Sequence, residues 1–388
     1  MKKIIIIGTG LSGLSCAFQL KKSNINVELY EKTYSSGGRV NSEYDKNFIY
    51  DVGFQVLLNN YNELKKIGIY KKLKIKYFNS GAKIFYKGEI LNIYNPIYHP
   101  IKFLKSNYSK VFKLKDLYKL ITLVLNIRKT NNFSKADFFL KKNFSKKSLK
   151  LFFYPFFRGI FLSKKIDTSF TFFLKIIRKF TFGRAGLPEN GMAEIPKKLI
   201  EIAQLKINYG YELEMINRNK AYFKNGNVIE FEKIVIAMPL EEIKKIIKIN
   251  TLIANNSNFT CYIKSKINCL GKTMVLVPEN KYEINSIQCL SNIAKNYSKY
   301  EESLYSVSSL NHNVDLDKIK IEFSKITKID EKEFSIVKTF RIKYALPKTK
   351  QIINNQNNIY FCGDWNTEPS IDGALKSGRL VAEKIINS

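Results

Sequence analysis

Six residues near the start of the chain, Gly8-Thr9-Gly10-Leu11-Ser12-Gly13, have the composition of a turn that brings backbone against a phosphate. Glycine at position 8 permits a tight turn, glycine at 10 lets the main chain approach a pyrophosphate, and glycine at 13 lets a helix pack closely on a strand. The free N–H groups and partial positive charge of a helix start suit an anion. Three glycines in six residues arise by chance in loops, so the companions matter. Glu31 follows about twenty residues on, where a carboxylate accepts hydrogen bonds from ribose hydroxyls and repels a 2′-phosphate. Ser35-Ser36-Gly37-Gly38-Arg39 comes next, two glycines for close approach and an arginine to neutralise a pyrophosphate. Together they favour a flavin dinucleotide over a nicotinamide one.

These groups need particular elements to position them. Residues 3–7 are apolar and β-branched, a strand buried on both faces as in a parallel sheet. The run after Gly13 has helical period, and Ile25–Tyr30 is a second strand ending at Glu31, which completes one βαβ unit. Helices are expected over 61–73, 110–129, 195–203, 315–328 and 371–387, and a hairpin around Lys87-Gly88. Short strands are expected over 211–238, several antiparallel strands over 259–310, and a last strand over 358–362. The fold class is therefore α/β: a Rossmann-like dinucleotide-binding domain with an inserted α+β substrate domain. Residues 1–75, 184–245 and 346–388 are assigned to the first. Residues 76–183, helical and rich in phenylalanine, and 246–345, an antiparallel sheet, are assigned to the second.

Composition narrows the function. The basic pair Lys2-Lys3 and the run Ile4–Ile7 resemble the start of an export signal, but the run is shorter than the ~7–15 apolar residues of a signal core. No apolar run reaches the ~18 residues of a spanning helix. The five cysteines, Cys16, Cys261, Cys269, Cys289 and Cys362, form no CxxC pair, and the two histidines, His99 and His312, lie far apart. Neither a disulfide framework nor a metal site is expected, and the cytoplasm fits this cysteine usage. The formal charge of +32 is carried almost entirely by lysine in a chain rich in isoleucine and asparagine, the pattern of an AT-rich genome. Peripheral contact with an anionic membrane is the functional alternative, and nucleic acid a more distant one.

The order of these motifs resembles that of the flavin-containing amine oxidase superfamily, and within it the phytoene-desaturase-like and protoporphyrinogen-oxidase-like enzymes. The stretches that carry the likeness are the glycine turn, Glu31 and Gly37-Gly38-Arg39 at one end, and Gly363-Asp364 with Ser370 through Ala374 and Ser377-Gly378-Arg379 at the other. Asp51 through Leu57, Phe78 through Ala82, Gly186 through Pro196 and Tyr344 through Pro347 support it. The resemblance implies FAD as cofactor, bound by Gly8, Gly10, Leu11, Ser12, Gly13, Glu31, Lys32, Gly38, Arg39, Gly53, Phe54, Leu213, Gly363, Asp364, Ile371, Asp372 and Ala374. Asp364 would meet the ribityl hydroxyls, Leu213 the adenine side through its backbone, and the helix opened by Gly373 and Ala374 the flavin ring.

Flavin chemistry needs no nucleophile or carboxylate dyad, and no catalytic base is assigned. Amine oxidases usually carry a tyrosine where Ile371 stands and a lysine on a strand matching Phe259–Tyr262, where Thr260 and Cys261 are found. The expected substrate is therefore a small apolar, isoprenoid-like molecule whose C–H gives hydride to flavin N5. A flavin amine oxidase is the alternative enzyme, and a basic anion-binding protein on a flavoprotein fold the alternative of another class. The phenylalanines of 151–182 are read as core, with a lipophilic tunnel or a membrane face lined by Lys164, Lys165, Lys175, Arg178 and Lys179 as the functional readings. Cys362 is read as packing, and Trp365 as either stacking near the flavin or packing.

Overall fold

The computed structural model describes residues 3–125, 135–249, 254–348, 353 and 358–388, so residues 126–129 of one expected helix lie outside it. The expected βαβ unit is present as β1 (Ile4–Ile7), α1 (Leu11–Lys22) and β2 (Val27–Glu31). β1 lies in the middle of a five-stranded sheet in the order Ile207–Tyr209, β2, β1, Lys233–Ile236, Ile359–Phe361, with every pairing parallel. The unbroken isoleucine run follows from that place. Ile4 and Ile6 join the core shared with α1, and Ile5 and Ile7 join the one beneath the opposite face. Burying such a side chain contributes roughly 1.5–3 kcal/mol. A three-stranded antiparallel sheet over residues 213–230 supplies Leu213, Ala221 and Phe223 to the second core.

The sheet thus draws its strands from 1–75, 184–245 and 346–388, the three segments assigned to the dinucleotide domain. The C-terminal helix Ile371–Ile386 packs on α1, with Gly378 at the crossing: a Cβ there would stand 2.0 Å from the Ser12 carbonyl oxygen. Ser15 Oγ donates to the Leu375 carbonyl at 2.7 Å beside it.

The second lobe departs from expectation in the make-up of its sheet. Its seven strands run Phe334–Pro347, Asn255–Ser265, Ser303–Ser309, Ile284–Cys289, Val275–Leu276, Gly81–Tyr86, Glu89–Tyr94. The hairpin expected around Lys87-Gly88 forms one edge, but its pairing with Val275–Leu276 is parallel, so the sheet is mixed rather than antiparallel. One face of the sheet is closed by the helix Leu316–Thr327, whose Phe323 packs with Phe259, Cys261 and Ile263. The other face looks into the molecule. Opposite it stand the phenylalanine-rich helices Tyr154–Phe161 and Phe170–Phe182.

Candidate functional site

One cavity of about 1320 Å³ runs from the C-terminal end of β1 to the phenylalanine-rich helices. It opens where ligands bind in open α/β sheets, beyond the carboxyl ends of the strands. Gly8 has φ +96°, and a Cβ there would lie 2.6 Å from the Ala237 carbonyl oxygen, so the turn admits glycine alone. Gly10 differs: a Cβ built on it meets nothing within 4 Å, because it faces the cavity. Gly10 is the N-cap of α1, and no side chain caps the helix start. Gly37 (φ +108°) and Gly38 (φ +59°) fold the next loop against the turn, with a bridge between Gly10 and Gly37.

Glu31 is buried at the end of β2. Its Oε2 accepts from Thr9 N at 2.9 Å and Thr9 Oγ1 at 2.8 Å, and its Oε1 from Thr33 N at 3.1 Å and Thr33 Oγ1 at 3.0 Å. The Thr33 hydroxyl also lies 2.9 Å from the Ser35 carbonyl. It has one proton for two acceptors, so turning it to Ser35 frees a Glu31 lone pair for a ribose hydroxyl.

At the far side, Arg39 Nη2 donates to Asp364 Oδ1 at 2.6 Å and Nη1 to the Ala345 carbonyl at 3.0 Å. Burial pulls the guanidinium pKa down, but Asp364 outweighs it and holds the group above its ordinary value. Asp364 itself follows the strand Ile359–Phe361, as expected. Gly363 N donates to Ser377 Oγ at 3.0 Å, which ties this turn to the C-terminal helix.

Leu11, Ser12, Lys32, Gly53, Phe54, Gly363, Ile371 and Ala374 all line the cavity. So does Leu213, although its side chain belongs to the core beside Tyr30 and Phe223, which leaves its backbone for a ligand. Two expected contacts do not. Gly13 is a packing residue: a Cβ there would sit 2.0 Å from the Gly8 carbonyl oxygen. Asp372 is turned away and spent on the protein, with Oδ1 accepting from Glu63 N at 2.9 Å and Oδ2 from Lys179 Nζ at 3.1 Å. On a helix, Ile371 and Ala374 share a face that the intervening Asp372 does not.

Sequence reasoning missed Asp51. It is buried, and its carboxylate accepts from Ser42 Oγ, Met192 N and Tyr297 OH at 2.6, 2.8 and 2.6 Å. Desolvation pushes its pKa up against these bonds. The network fixes the segment that delivers Gly53 and Phe54. An acidic residue closing the otherwise apolar strand Ile49–Asp51 is the available signal. On the strand Asn255–Ser265 the residue facing the cavity is Asn258, rather than Thr260 or Cys261. Thr260 Oγ1 instead accepts from Phe54 N at 3.3 Å, while Cys261 points into the opposite core.

Trp365 packs, 3% exposed, with Nε1 donating to the Met238 carbonyl at 3.1 Å, and it also lines the cavity. Cys362 is packing: burial pushes its thiol up to about 12, so it stays protonated.

The family model of flavin containing amine oxidoreductases matches residues 11–255. The chain belongs to this family. Among curated relatives, 4,4'-diaponeurosporene oxygenase of Staphylococcus haemolyticus is 33% identical over 106 residues, 25% of this chain and 20% of the relative. "Probable flavin-containing monoamine oxidase A" of Dictyostelium discoideum is 27% identical over 203 residues, 47% and 42% of the two chains. Zeta-carotene desaturase of Solanum lycopersicum is 30% identical over 176 residues, 38% and 29%. The chain thus spans less than half the length of each relative. An oxidoreductase from Methanosarcina mazei shares the fold over 100% of both chains, with a TM-score of 0.76 at 15% identity.

Family membership makes FAD the cofactor, and the geometry fits it. The open side of Gly10 with the uncapped start of α1, the Glu31 carboxylate, and the Arg39–Asp364 pair beside Ile371 and Ala374 line one continuous cleft. In that order they suit pyrophosphate, ribose, and the flavin with its ribityl chain. When bound, the flavin would supply the acceptor for hydride and electrons. The residues named here would hold and orient it, and the phenylalanine-lined lobe lies beyond it along the same cavity.

Proposed function

We propose that this flavin containing amine oxidoreductase family member is an FAD-dependent oxidoreductase that removes hydride from a C–H of an apolar, isoprenoid-like substrate. The observation that carries this is the character of the cavity beyond the dinucleotide cleft. Phe152, Phe156, Phe157, Phe161, Phe172 and Phe180 line it. Every carboxylate on the cavity wall among the described residues, namely Glu31, Glu212, Glu214, Glu242 and Asp364, lies in the dinucleotide lobe. An ammonium group in the phenylalanine chamber would find no counter-charge. Ile371 adds an apolar surface where an aromatic cage would need a ring. These features speak against amine oxidation, which the Dictyostelium relative's name keeps as the second reading. Anaerobic bleaching of the bound flavin against isoprenoids, porphyrinogens and amines tests the choice: bleaching by an isoprenoid supports the proposal, and bleaching by amines alone overturns it.

Access from an anionic membrane is part of the same reading, but not through the phenylalanine-rich helices. Apart from the exposed Phe182 their rings are turned to the core or the cavity, Lys175 is paired with Glu368, and Lys179 is largely covered against Asp372. The exposed apolar surface lies instead on Leu114, Tyr118, Ile121 and Leu125, a stripe along the helix Leu114–Leu125, with Ile97, Ile101 and Leu104 nearby in sequence. Ile97, Ile121 and Leu125 also line the cavity, so the stripe reaches its mouth. Exposed Lys102, Lys105, Lys113 and Lys115 flank these residues and suit an anionic headgroup layer. Among the described residues no helix is long and apolar enough to cross a membrane.

A further inference from the structure

Two side-chain amides are built into the wall of the apolar chamber with atoms that nothing in the protein satisfies. Asn258 is 3% exposed; its Nδ2 donates to Thr260 Oγ1 at 3.1 Å, and its Oδ1 has no partner. Asn285 is 7% exposed, and its Nδ2 has no partner. Both line the cavity, as do Ser286 and Ser308, whose hydroxyls bond each other at 2.6 Å.

The backbone is shaped to put them there. The strand Ile284–Cys289 pairs Ile284 with Ser309 and Ser286 with Ser308, so Asn285 is the extra residue of a β-bulge. A bulge re-aims a side chain that regular alternation would direct elsewhere. Helix Tyr154–Phe161 passes over it at Gly159, where a Cβ would come to 3.0 Å from Asn285 Nδ2. Asn258 lies on the opposite flank, where a Cβ on Gly53 would stand 3.4 Å from its Nδ2.

Unsatisfied polar atoms in a dry site are costly, and native structures hold few of them. A chamber for a plain hydrocarbon would be better lined by leucine at both positions. We infer that the two amides recognise an uncharged oxygen function on the substrate, a hydroxyl or a carbonyl carried on an otherwise apolar body. Asn285 offers an N–H to the oxygen, and Asn258 offers an oxygen to a hydroxyl hydrogen. No charged side chain among the described residues lines this end of the cavity, so a carboxylate, phosphate or ammonium group is a poor fit. The inference rests on the apolar-substrate reading and deepens it.

The test uses the purified holoprotein and three matched C20 probes: geranylgeraniol, its aldehyde, and the hydrocarbon lacking the oxygen. Binding is read from the fluorescence of Trp365, the chain's one tryptophan, which lines the cavity. The alcohol and the aldehyde are expected to bind roughly tenfold more tightly than the hydrocarbon, as one hydrogen bond to an otherwise unpaired group allows. Asn285→Leu removes the preference for both oxygenated probes. Asn258→Leu weakens the alcohol but not the aldehyde, which has no O–H to donate. Retained hydrocarbon binding shows that each variant is folded. Equal affinity of alcohol and hydrocarbon for the unaltered protein, or a preference that survives both substitutions, overturns the inference and leaves the apolar-substrate reading standing. Failure of all three probes to bind overturns that reading, and the inference falls with it.

Discussion

Arg39 and Asp364 stand 325 residues apart in sequence and are joined by a 2.6 Å ion pair at the edge of the cavity. The pair closes the two ends of the chain around one cleft. A carboxylate has about four acceptor positions, so Asp364 can hold Arg39 and still receive ligand hydroxyls. Asp364→Ala and Arg39→Ala are each expected to weaken FAD retention by about tenfold or more, the scale of a charge-assisted hydrogen bond of ~1.5–3 kcal/mol. The ratio of flavin to protein absorbance after gel filtration measures it. Full retention in both variants would show that the pair is structural only.

Three glycines around the cleft, Gly10, Gly13 and Gly378, are expected to separate into two kinds. Gly13→Ala forces a Cβ to 2.0 Å from the Gly8 carbonyl oxygen, and Gly378→Ala does the same against the Ser12 carbonyl. Overpacking of this kind costs typically about 1–3 kcal/mol, so both should lower the melting temperature of the apoprotein. Gly10→Ala meets no protein atom within 4 Å. It should melt with the parent as apoprotein but bind FAD poorly, because the methyl occupies the ligand's space. Differential scanning fluorimetry with and without FAD checks all three.

Glu63 should give the fold an acid-sensitive tie. Its Oε2 accepts from Arg379 Nε at 2.7 Å and its Oε1 from Arg379 Nη2 at 3.2 Å. Burial raises the carboxyl pKa, but the bonds from Arg379 and Lys66 outweigh it and hold it below the ordinary 4.5. A carboxylate with a lowered folded pKa contributes stability above its unfolded value and loses it as pH falls through the folded one. Glu63→Gln should therefore lower the melting temperature at neutral pH, with the difference closing as pH falls below 4.5 and through the lowered folded value. A gap that persists unchanged into acid would remove ionisation as the cause.

Ile121→Glu with Leu125→Glu should abolish flotation with anionic liposomes while leaving the melting temperature within about 1 °C of the parent. Both side chains are exposed, so their replacement disturbs no core. Flotation that survives the double substitution would place any membrane contact elsewhere.

What could be read from the sequence follows the range of the interactions involved. β1, α1 and Glu31 were legible because strand, turn and helix are specified within about thirty residues. The hairpin at Lys87-Gly88 was legible too, since φ values of +53° and +83° are what such a turn demands. Its parallel attachment to Val275–Leu276 was not, because no local pattern records which distant edge a strand joins. The strand Phe334–Pro347 escaped for a related reason. Most of its residues are half-buried, and the alternation of Phe340 through Tyr344 is cut from that of Phe334 through Ile336 by a register shift against the neighbouring strand. On Asn255–Ser265 the resemblance to amine oxidases points to Thr260 and Cys261, but the position that lines the cavity is Asn258, beside the register shift between Asn256 and Asn258. The bulge that aims Asn285 depends on the register of a partner strand and leaves no trace in composition.

The order of the parallel sheet bears on how this protein is made. Among the described residues its last strand, Ile359–Phe361, pairs only with Lys233–Ile236, and the helix that follows rests on α1. During synthesis the phosphate-binding turn therefore emerges long before the Gly363-Asp364 wall of the cleft. A two-walled cleft has to await the segment that carries Asp364. The half-built sheet, with an open hydrophobic edge, is the species that a chaperone would have to shield.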